Sequence, residues 1–255
     1  MSSVLFEIKE NVGIISLNRP EKLNSFNGEM CLLLQSLLDE CRADEVRAVY
    51  MTGMGKGFSA GQDLSEVTDT VNFNTILSKY YNPIVIRIRK LEKPVVAAVN
   101  GVAAGAGANI ALASDIVVAA QSASFVQAFS KIGLIPDSGG TYILPRLVGW
   151  QKATALMMLG EKVSATDAER YGMIYKVFPD ESFSGSSLSI ATTLAKMPTR
   201  GLAYTKQVLN ISLVNHFEEQ LQEENTFQQR AAKTDDFKEG VKAFLEKRPP
   251  LFRGS

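Results

Sequence analysis

The chain has 255 residues, of which 27 are basic and 27 are acidic, and one histidine. This length suits one large domain or a domain with an appendage. The balanced charge gives no reason to expect a nucleic-acid partner or an acidic membrane surface.

Individual residues exclude further classes of function. The N-terminus lacks the basic and apolar segments of a signal peptide, and the most apolar window, 95–120, is interrupted by polar residues, so we expect a cytoplasmic protein without membrane spans. Cys31 and Cys41 are predicted to be free thiols in a reducing cytoplasm. With His216 as the only histidine, neither a histidine triad nor a metal site is expected.

The first half of the chain alternates predicted strands and helices. Apolar, β-branched runs predict a hairpin, and leucines at helical spacing predict a helix that ends at Glu40. Two later strands are apolar enough to be buried on both faces of a sheet. The predicted strands are 4–8, 12–17, 46–52, 94–99 and 115–120, the helices are 28–40, 76–91 and 105–113, and 53–61 is a predicted loop.

Helical patterns predominate in the second half. Ser164 begins a predicted capping box, and only helical patterns follow Pro179. The sequence therefore predicts an α/β core followed by a helical region that is too polar to have a core of its own. The predictions are a short helix or loop at 127–132, a helix or turn at 139–148, helices at 151–159, 164–171, 188–196, 201–213, 217–232 and 237–246, and a strand at 174–178.

Gly105, Ala106 and Gly107 stand where a turn opens a predicted helix. The dinucleotide-binding pattern G-x-G-x-x-G fails because Ile110 occupies the third glycine position. Two interpretations remain, namely close packing of helix on strand and an oxyanion site made of backbone N–H groups. The glycine-rich loop 57–61 is a candidate for the second donor of such a site.

Asp137 interrupts the apolar segment 134–136 and is followed by Ser138 and two glycines. Pro-Asp-Ser-Gly is a good β-turn sequence, so a turn residue and a catalytic acid are both consistent with the local pattern. Asp115 is interpreted as structural. The sequence leaves two roles open for Tyr80 and Tyr81, which are packing in the core and lining a ligand-binding cavity.

Five motifs follow one another along the chain. They are NRPEKLN at 18–24, FSAGQDL at 58–64, KPVVAAVNG at 93–101, GLIPDSGG at 133–140 and FLEKRP at 244–249. Together they resemble the crotonase superfamily, the enoyl-CoA hydratase/isomerase family, and the resemblance covers essentially the whole chain.

The resemblance implies the α/β crotonase fold of repeated ββα units, with a helical C-terminal trimerisation region. We expect the core at 1–190 and the helical region at 191–255, in a homotrimer or a dimer of trimers. It also implies an acyl-CoA thioester as the substrate, so that coenzyme A is part of the substrate and no separate cofactor is expected.

Site residues follow from the matching positions. The resemblance implies oxyanion donors at the N–H groups of Ala60 and Ala106. The residues implied to bind coenzyme A are Lys22 near its phosphates, Ala60, Gln62, Asp63 and Leu64 beside its adenine end, Ala106, and Phe244 and Lys247 at the C-terminal end, within the chain or from a neighbouring subunit.

Departures from the family pattern bear on the reaction. Family hydratases carry two glutamates, and Asn109 and Phe129 stand at the matching positions. Addition of water needs one group to activate the water and another to protonate the α-carbon. Several family isomerases, and a dehalogenase that attacks an aromatic ring, carry an acid where Asp137 stands.

The sequence therefore favours an acyl-CoA isomerase. The oxyanion donors would stabilise an enolate, while Asp137 takes the α-proton and returns it at the γ-carbon. Leu134, Ile135 and Phe129 are expected to desolvate Asp137 and make it a better base. A hydratase, an aryl-CoA dehalogenase with an aspartate nucleophile, and a non-catalytic protein that only binds coenzyme A are the alternatives.

Overall fold

The computed structural model describes residues 2–66 and 72–255. Its strands are β1 (Val4–Lys9), β2 (Val12–Leu17), β3 (Ala48–Gly53), β4 (Gly57–Ser59), β5 (Val95–Val99), β6 (Val102–Ala104), β7 (Ile116–Ala120), β8 (Ser124–Val126), β9 (Lys162–Ser164) and β10 (Lys176–Phe178). Its α-helices are α1 (Gly28–Glu40), α2 (Phe73–Thr75), α3 (Asn82–Lys90), α4 (Ala106–Leu112), α5 (Gly140–Val148), α6 (Trp150–Leu159), α7 (Ala165–Arg170), α8 (Asp180–Ala195), α9 (Thr199–Ser212), α10 (Phe217–Ala231) and α11 (Asp235–Leu245). A π-helix spans Ile76–Tyr81, and 3-10 helices span Pro20–Lys22, Leu64–Glu66 and Ala128–Ile132.

The strands form two sheets. The larger has the order β1-β2-β3-β5-β7-β10 and is parallel except for the β1–β2 hairpin. The smaller has the order β4-β6-β8-β9, in which β8 and β9 are antiparallel. The pairs β3–β4, β5–β6 and β7–β8 each place one strand in either sheet, and a helical segment follows each pair. The expected repeat of ββα units is therefore confirmed.

The sequence patterns do not predict the short strands of the smaller sheet, and the prediction of 53–61 as a loop is wrong because β4 lies within it. A three-residue strand of Gly, Phe and Ser has no β-branched run from which to recognise it. Two backbone segments approach each other closely here, and glycine makes this possible, since a Cβ placed on Gly101 would lie 2.1 Å from the carbonyl oxygen of Lys56.

The helix predicted at 76–91 is interrupted by the π-helix, and Pro83 gives a physical reason. Proline has no N–H, so the carbonyl oxygen of Lys79 loses its helical donor. Gln35 of α1 replaces that donor, because its Nε2 donates to the carbonyl oxygens of Lys79 at 2.9 Å and of Tyr80 at 3.1 Å. The segment is thereby fastened to α1.

Helix α8 belongs to the core, because Phe183, Ser187 and Ala191 on one of its faces are buried and Ser187 Oγ lies 2.9 Å from the hydroxyl of Tyr50 on β3. A division of the chain at residue 190 would cut this helix. By contrast, α10 has no buried residue, and α9 is tied to the core by a polar anchor.

That anchor is the ammonium group of Lys206, which is 6% exposed. Its Nζ lies 2.7 Å from Asp115 Oδ2 and 2.7 Å from the carbonyl oxygen of Ile88. Burial lowers the pKa of Lys206 and raises that of Asp115, while attraction between the two charges opposes both shifts. The structural interpretation of Asp115 agrees with this contact, which joins α9 to the start of β7.

We expect Lys206→Met to destabilise the protein by about 3–5 kcal/mol, because it leaves the Asp115 carboxylate buried without its counter-ion. The free energy of unfolding in urea measures this loss. Lowering the pH should reduce the difference in unfolding free energy between the variant and wild type, because protonation of Asp115 removes its unpaired charge. Lys238→Met is the control, because its ion pair with Asp235 is exposed and should contribute nothing measurable. Equal unfolding curves for the two variants would contradict the assignment.

Candidate active site

The segment after β4 carries the first predicted oxyanion donor. The Ala60 N–H donates to the carbonyl oxygen of Leu23 at 2.9 Å, so it is not available to a substrate. The prediction of Ala60 as an oxyanion donor is therefore wrong. Its N–H instead helps to hold the segment against the loop that follows β2.

Gln62 carries the N–H that this segment leaves unpaired. On one side of it, the Gly61 N–H points to Ser59 Oγ at 3.2 Å. On the other, the Asp63 N–H donates to the carbonyl oxygen of Phe26 at 2.9 Å. Within residues 2–66 and 72–255 the Gln62 N–H has no acceptor. Gln62, two residues further along the chain, therefore replaces Ala60 as the candidate first donor.

Ala106 carries the second donor, as the sequence predicts a free N–H at this helix start. It is the first residue of α4, so its N–H has no acceptor within the helix. The turn before it depends on Gly105, whose φ of 52° is in the left-handed region. Gly61 packs against this turn, and a Cβ placed on it would lie 3.5 Å from Ala106 N. Both donors therefore come from segments in direct backbone contact.

Asp137 is joined to the helix that carries the second donor. Its carbonyl oxygen accepts from Asn109 Nδ2 at 2.9 Å, and Asn109 lies one turn beyond Ala106 on α4. The same carbonyl accepts from the Gly140 N–H at 2.8 Å. The structure therefore brings Asp137 and Ala106 to one region, and it gives Asn109 a contact that the sequence patterns do not reveal.

The Asp137 carboxyl group is half-buried, and burial raises its pKa above the ordinary aspartate value. A hydrogen bond from Ser138 Oγ to Asp137 Oδ1, at 2.9 Å, acts in the opposite direction. Ser138 itself is 2% exposed and has a φ of 50°, which is strained for a residue with a side chain. The sequence pattern predicts a turn at Ser138 but does not reveal its hydrogen bond to the carboxylate.

The structure contradicts part of the prediction that apolar side chains desolvate Asp137. Ile135 is 81% exposed, so the prediction that it desolvates Asp137 is wrong. Phe129 is buried, but its ring lies beside the oxyanion turn, where Cζ would be 3.7 Å from a Cβ on Gly105.

Asp63 is engaged within the chain. Its carboxylate accepts from Ser65 Oγ at 2.6 Å and pairs with Arg19 at 2.9 Å. These hydrogen bonds, that of Ser65 first, lower its pKa to about 2. Since its N–H is also bonded, this residue holds the loop in shape rather than offering a free side chain to coenzyme A.

The remaining residues expected to bind coenzyme A lie at the surface. Lys22 is exposed in the first 3-10 helix, and Leu64 is 54% exposed at the end of the donor segment. Phe244, 82% exposed, and Lys247 lie at the end of α11. In the described part of the chain, no hydrogen bond or ion pair joins Phe244 or Lys247 to the donor segments, and their role stays a prediction.

A cavity of about 300 Å³ opens beside Gln62. Tyr80 is half-buried in its wall, whereas Tyr81 is 2% exposed and packs edge-on against Phe26. Tyr81 therefore belongs to the core and also borders the cavity, while Tyr80 faces it. The lining mixes these aromatic rings with the side-chain amides of Asn27, Gln62 and Asn72.

The two cysteines lie away from Asp137 and the candidate donors along the chain. Cys31 and Cys41 are buried, and burial raises the pKa of the Cys41 thiol to about 12. In the described ranges, no group of three or more His, Cys, Asp or Glu side chains is arranged to hold a metal ion. None of the helices there is long and apolar enough to cross a membrane.

The candidate site thus offers two backbone N–H groups and one carboxylate, groups that suit chemistry beside a carbonyl group. A sequence profile of the enoyl-CoA hydratase/isomerase family matches residues 7–255. The chain belongs to this family of enzymes, and an acyl-CoA thioester substrate fits the family.

Individual relatives cover nearly the whole chain. An Escherichia coli protein named 1,2-epoxyphenylacetyl-CoA isomerase is 46% identical over 100% of this chain and 99% of its own. A Rhodobacter capsulatus protein named "Probable enoyl-CoA hydratase" is 44% identical over 99% of this chain and 98% of its own. The crystal structure of an enoyl-CoA hydratase from Bacillus anthracis superposes with a TM-score of 0.93 at 31% identity, covering 99% of this chain and 100% of that one. The crotonase fold is thereby confirmed.

We expect Ser138→Ala to move the acid limb of the pH profile of kcat/KM to higher pH. The lost hydrogen bond favours the charged form of Asp137, so its removal raises the pKa of the carboxyl group further. Ser138→Gly should give the same pH shift with higher thermal stability than Ser138→Ala, because glycine tolerates the positive φ. Acid limbs that coincide with wild type in both variants would show that Ser138 does not tune the base.

Proposed function

We propose that the chain is an acyl-CoA isomerase in which one carboxylate moves a proton beside an oxyanion hole. The observation that carries this proposal is the isolation of Asp137. In the described part of the chain, no neighbouring charged side chain contributes to its pKa. Hydration calls for two acid–base groups, whereas a 1,3 proton shift needs only one shuttling base.

For a 3-enoyl-CoA, the proposed reaction begins with the thioester oxygen between the N–H groups of Gln62 and Ala106. As Asp137 removes the α-proton, negative charge develops on that oxygen, and the two fixed donors stabilise the enolate. Asp137 then returns the proton at the γ-carbon. Its raised pKa strengthens it as a base, provided that the working pH lies above that pKa.

The physiological substrate that we propose is 1,2-epoxyphenylacetyl-CoA, converted to oxepin-CoA in aerobic phenylacetate catabolism, with Δ3,Δ2-enoyl-CoA isomerisation as a second activity. Similarity to the Escherichia coli isomerase supports this choice.

We further propose a cytoplasmic homotrimer or dimer of trimers, with coenzyme A carried only as part of the substrate. Support comes from the helical C-terminal region, where Phe217 is 72% exposed, Phe244 is 82% exposed and Leu245 is 74% exposed. Packing against a second subunit would remove these apolar side chains from water. Phe244 and Lys247 would then reach coenzyme A bound to a neighbouring subunit.

Asp137→Asn should lower kcat at least about 10²-fold on both a 3-enoyl-CoA and 1,2-epoxyphenylacetyl-CoA, because an amide cannot accept the α-proton. A spectrophotometric assay of the two substrates beside wild type measures this effect. Full turnover by the variant would refute the mechanism. Hydration of a 2-enoyl-CoA by wild type would favour the hydratase alternative, dechlorination of 4-chlorobenzoyl-CoA the dehalogenase, and binding of coenzyme A without turnover the non-catalytic protein.

Ala106→Pro should lower kcat by about 10²–10³-fold, as expected for loss of one oxyanion donor. Proline is well tolerated at the first residue of a helix, so the change removes the N–H with little cost to α4. Trp150→Pro makes the same change at the first residue of α6, where the side chain is 75% exposed, and is expected to keep turnover. If Ala106→Pro melts like wild type and keeps full kcat, the Ala106 N–H is not a donor.

A further inference from the structure

Asn109 makes two hydrogen bonds that the proposed reaction does not use. Its side chain is fully buried, its Nδ2 donates to the carbonyl oxygen of Asp137 at 2.9 Å, and its Oδ1 accepts from Gln127 Nε2 at 2.8 Å. Gln127 is 2% exposed and directly follows β8. A buried polar relay therefore runs from the smaller sheet through α4 to the turn that carries the carboxylate.

The chain itself fixes the direction of this relay. A carbonyl oxygen only accepts, so Asn109 must turn its Nδ2 toward Asp137. Its Oδ1 then faces Gln127, which must present Nε2. This orientation leaves Gln127 Oε1 buried without a donor. Buried polar atoms are nearly always paired. The arrangement therefore keeps the hydrogen bond between Asn109 and the Asp137 carbonyl, while the Oε1 of Gln127 receives no hydrogen bond from the described residues.

The turn that carries Asp137 has an unfavourable backbone conformation, so a contact from outside the turn must stabilise it. Ser138 and Gly139 have consecutive positive φ values of 50° and 78°, and the first is unfavourable for a residue with a side chain. Gly140 allows Asn109 to make this stabilising contact, because a Cβ placed on residue 140 would lie 2.3 Å from Asn109 Nδ2. The amide thus occupies the space that any other residue at 140 would fill.

The relay also connects the carboxylate to the oxyanion donor. Asn109 lies on α4 one turn after Ala106, and the N-cap of that helix is fastened by a hydrogen bond from the Gly105 N–H to the carbonyl oxygen of Val126 at 2.9 Å. Val126 and Gln127 are consecutive, so the end of β8 holds both the start of α4 and the amide of Asn109. Movement of the base relative to the donor would break this set of contacts.

We infer that Asn109, oriented by Gln127, is a positioning residue that holds the Asp137 carboxylate in register with the oxyanion donors. This inference rests on the proposed function. Where family hydratases are expected to carry a glutamate, this chain has an amide that acts through the main chain of another residue. A misplacement of about 1 Å can cost roughly 10²-fold in rate, so kcat rather than KM should respond to loss of the amide.

The test compares Asn109→Ala and Asn109→Asp with wild type over a range of pH. Both variants should lose about 10²-fold in kcat near neutral pH with little change in KM. Asn109→Asp should recover relative to wild type as the pH falls, because its protonated carboxyl group can again donate to the Asp137 carbonyl. Asn109→Ala has no such group, so its ratio to wild type should stay constant with pH.

Asp137→Asn, assayed beside these variants, separates the two proposals. Full turnover by Asp137→Asn would refute the proposed function and, with it, any role for Asn109 in positioning a base. An inactive Asp137→Asn together with wild-type kcat in Asn109→Ala would refute the positioning role alone. A lower melting temperature with unchanged kcat, or a constant activity ratio for Asn109→Asp, would assign Asn109 to stability and overturn the inference.

Discussion

Backbone-to-backbone contact between the segment after β4 and the segment after β6 is the constraint on which the site depends. A Cβ placed on Gly107 would lie 2.6 Å from the carbonyl oxygen of Ser59, and one on Gly61 would lie 2.8 Å from that of Ala104. Any side chain at these points would separate the two N–H donors. Because β4 and β6 are adjacent parallel strands, both donor segments leave the smaller sheet at the same edge, and the strand spacing sets the distance between them.

The strands of the larger sheet could be predicted from the sequence because they are apolar and β-branched, and β5 is buried along its whole length. The smaller sheet could not be predicted. Its strands have three residues each, and their pairing depends on glycines that allow close approach, as at Gly101. A local pattern cannot report a contact with a distant carbonyl oxygen.

How much of the candidate site could be predicted from the sequence differs from residue to residue. The helix start at Ala106 could be predicted from the local pattern, and with it an N–H that has no acceptor within the helix, whereas its role as an oxyanion donor was implied only by the family resemblance. The choice between Ala60 and Gln62 could not be made from sequence, because it depends on which N–H groups the loop of Leu23 and Phe26 engages. Asn109 was recognised as a departure from the hydratase pattern, but its hydrogen bond to Asp137 appears only when the two segments are folded together.

Gly140 carries a consequence for the substitutions that the site can accept. A methyl group at 140 would overlap the amide of Asn109, which donates to the main-chain carbonyl oxygen of Asp137. A carboxylate at 109 would oppose the Asp137 carbonyl oxygen, acceptor against acceptor. A carboxylate placed at 109 alone would therefore leave the Gly140 N–H as the donor that still holds the Asp137 carbonyl oxygen.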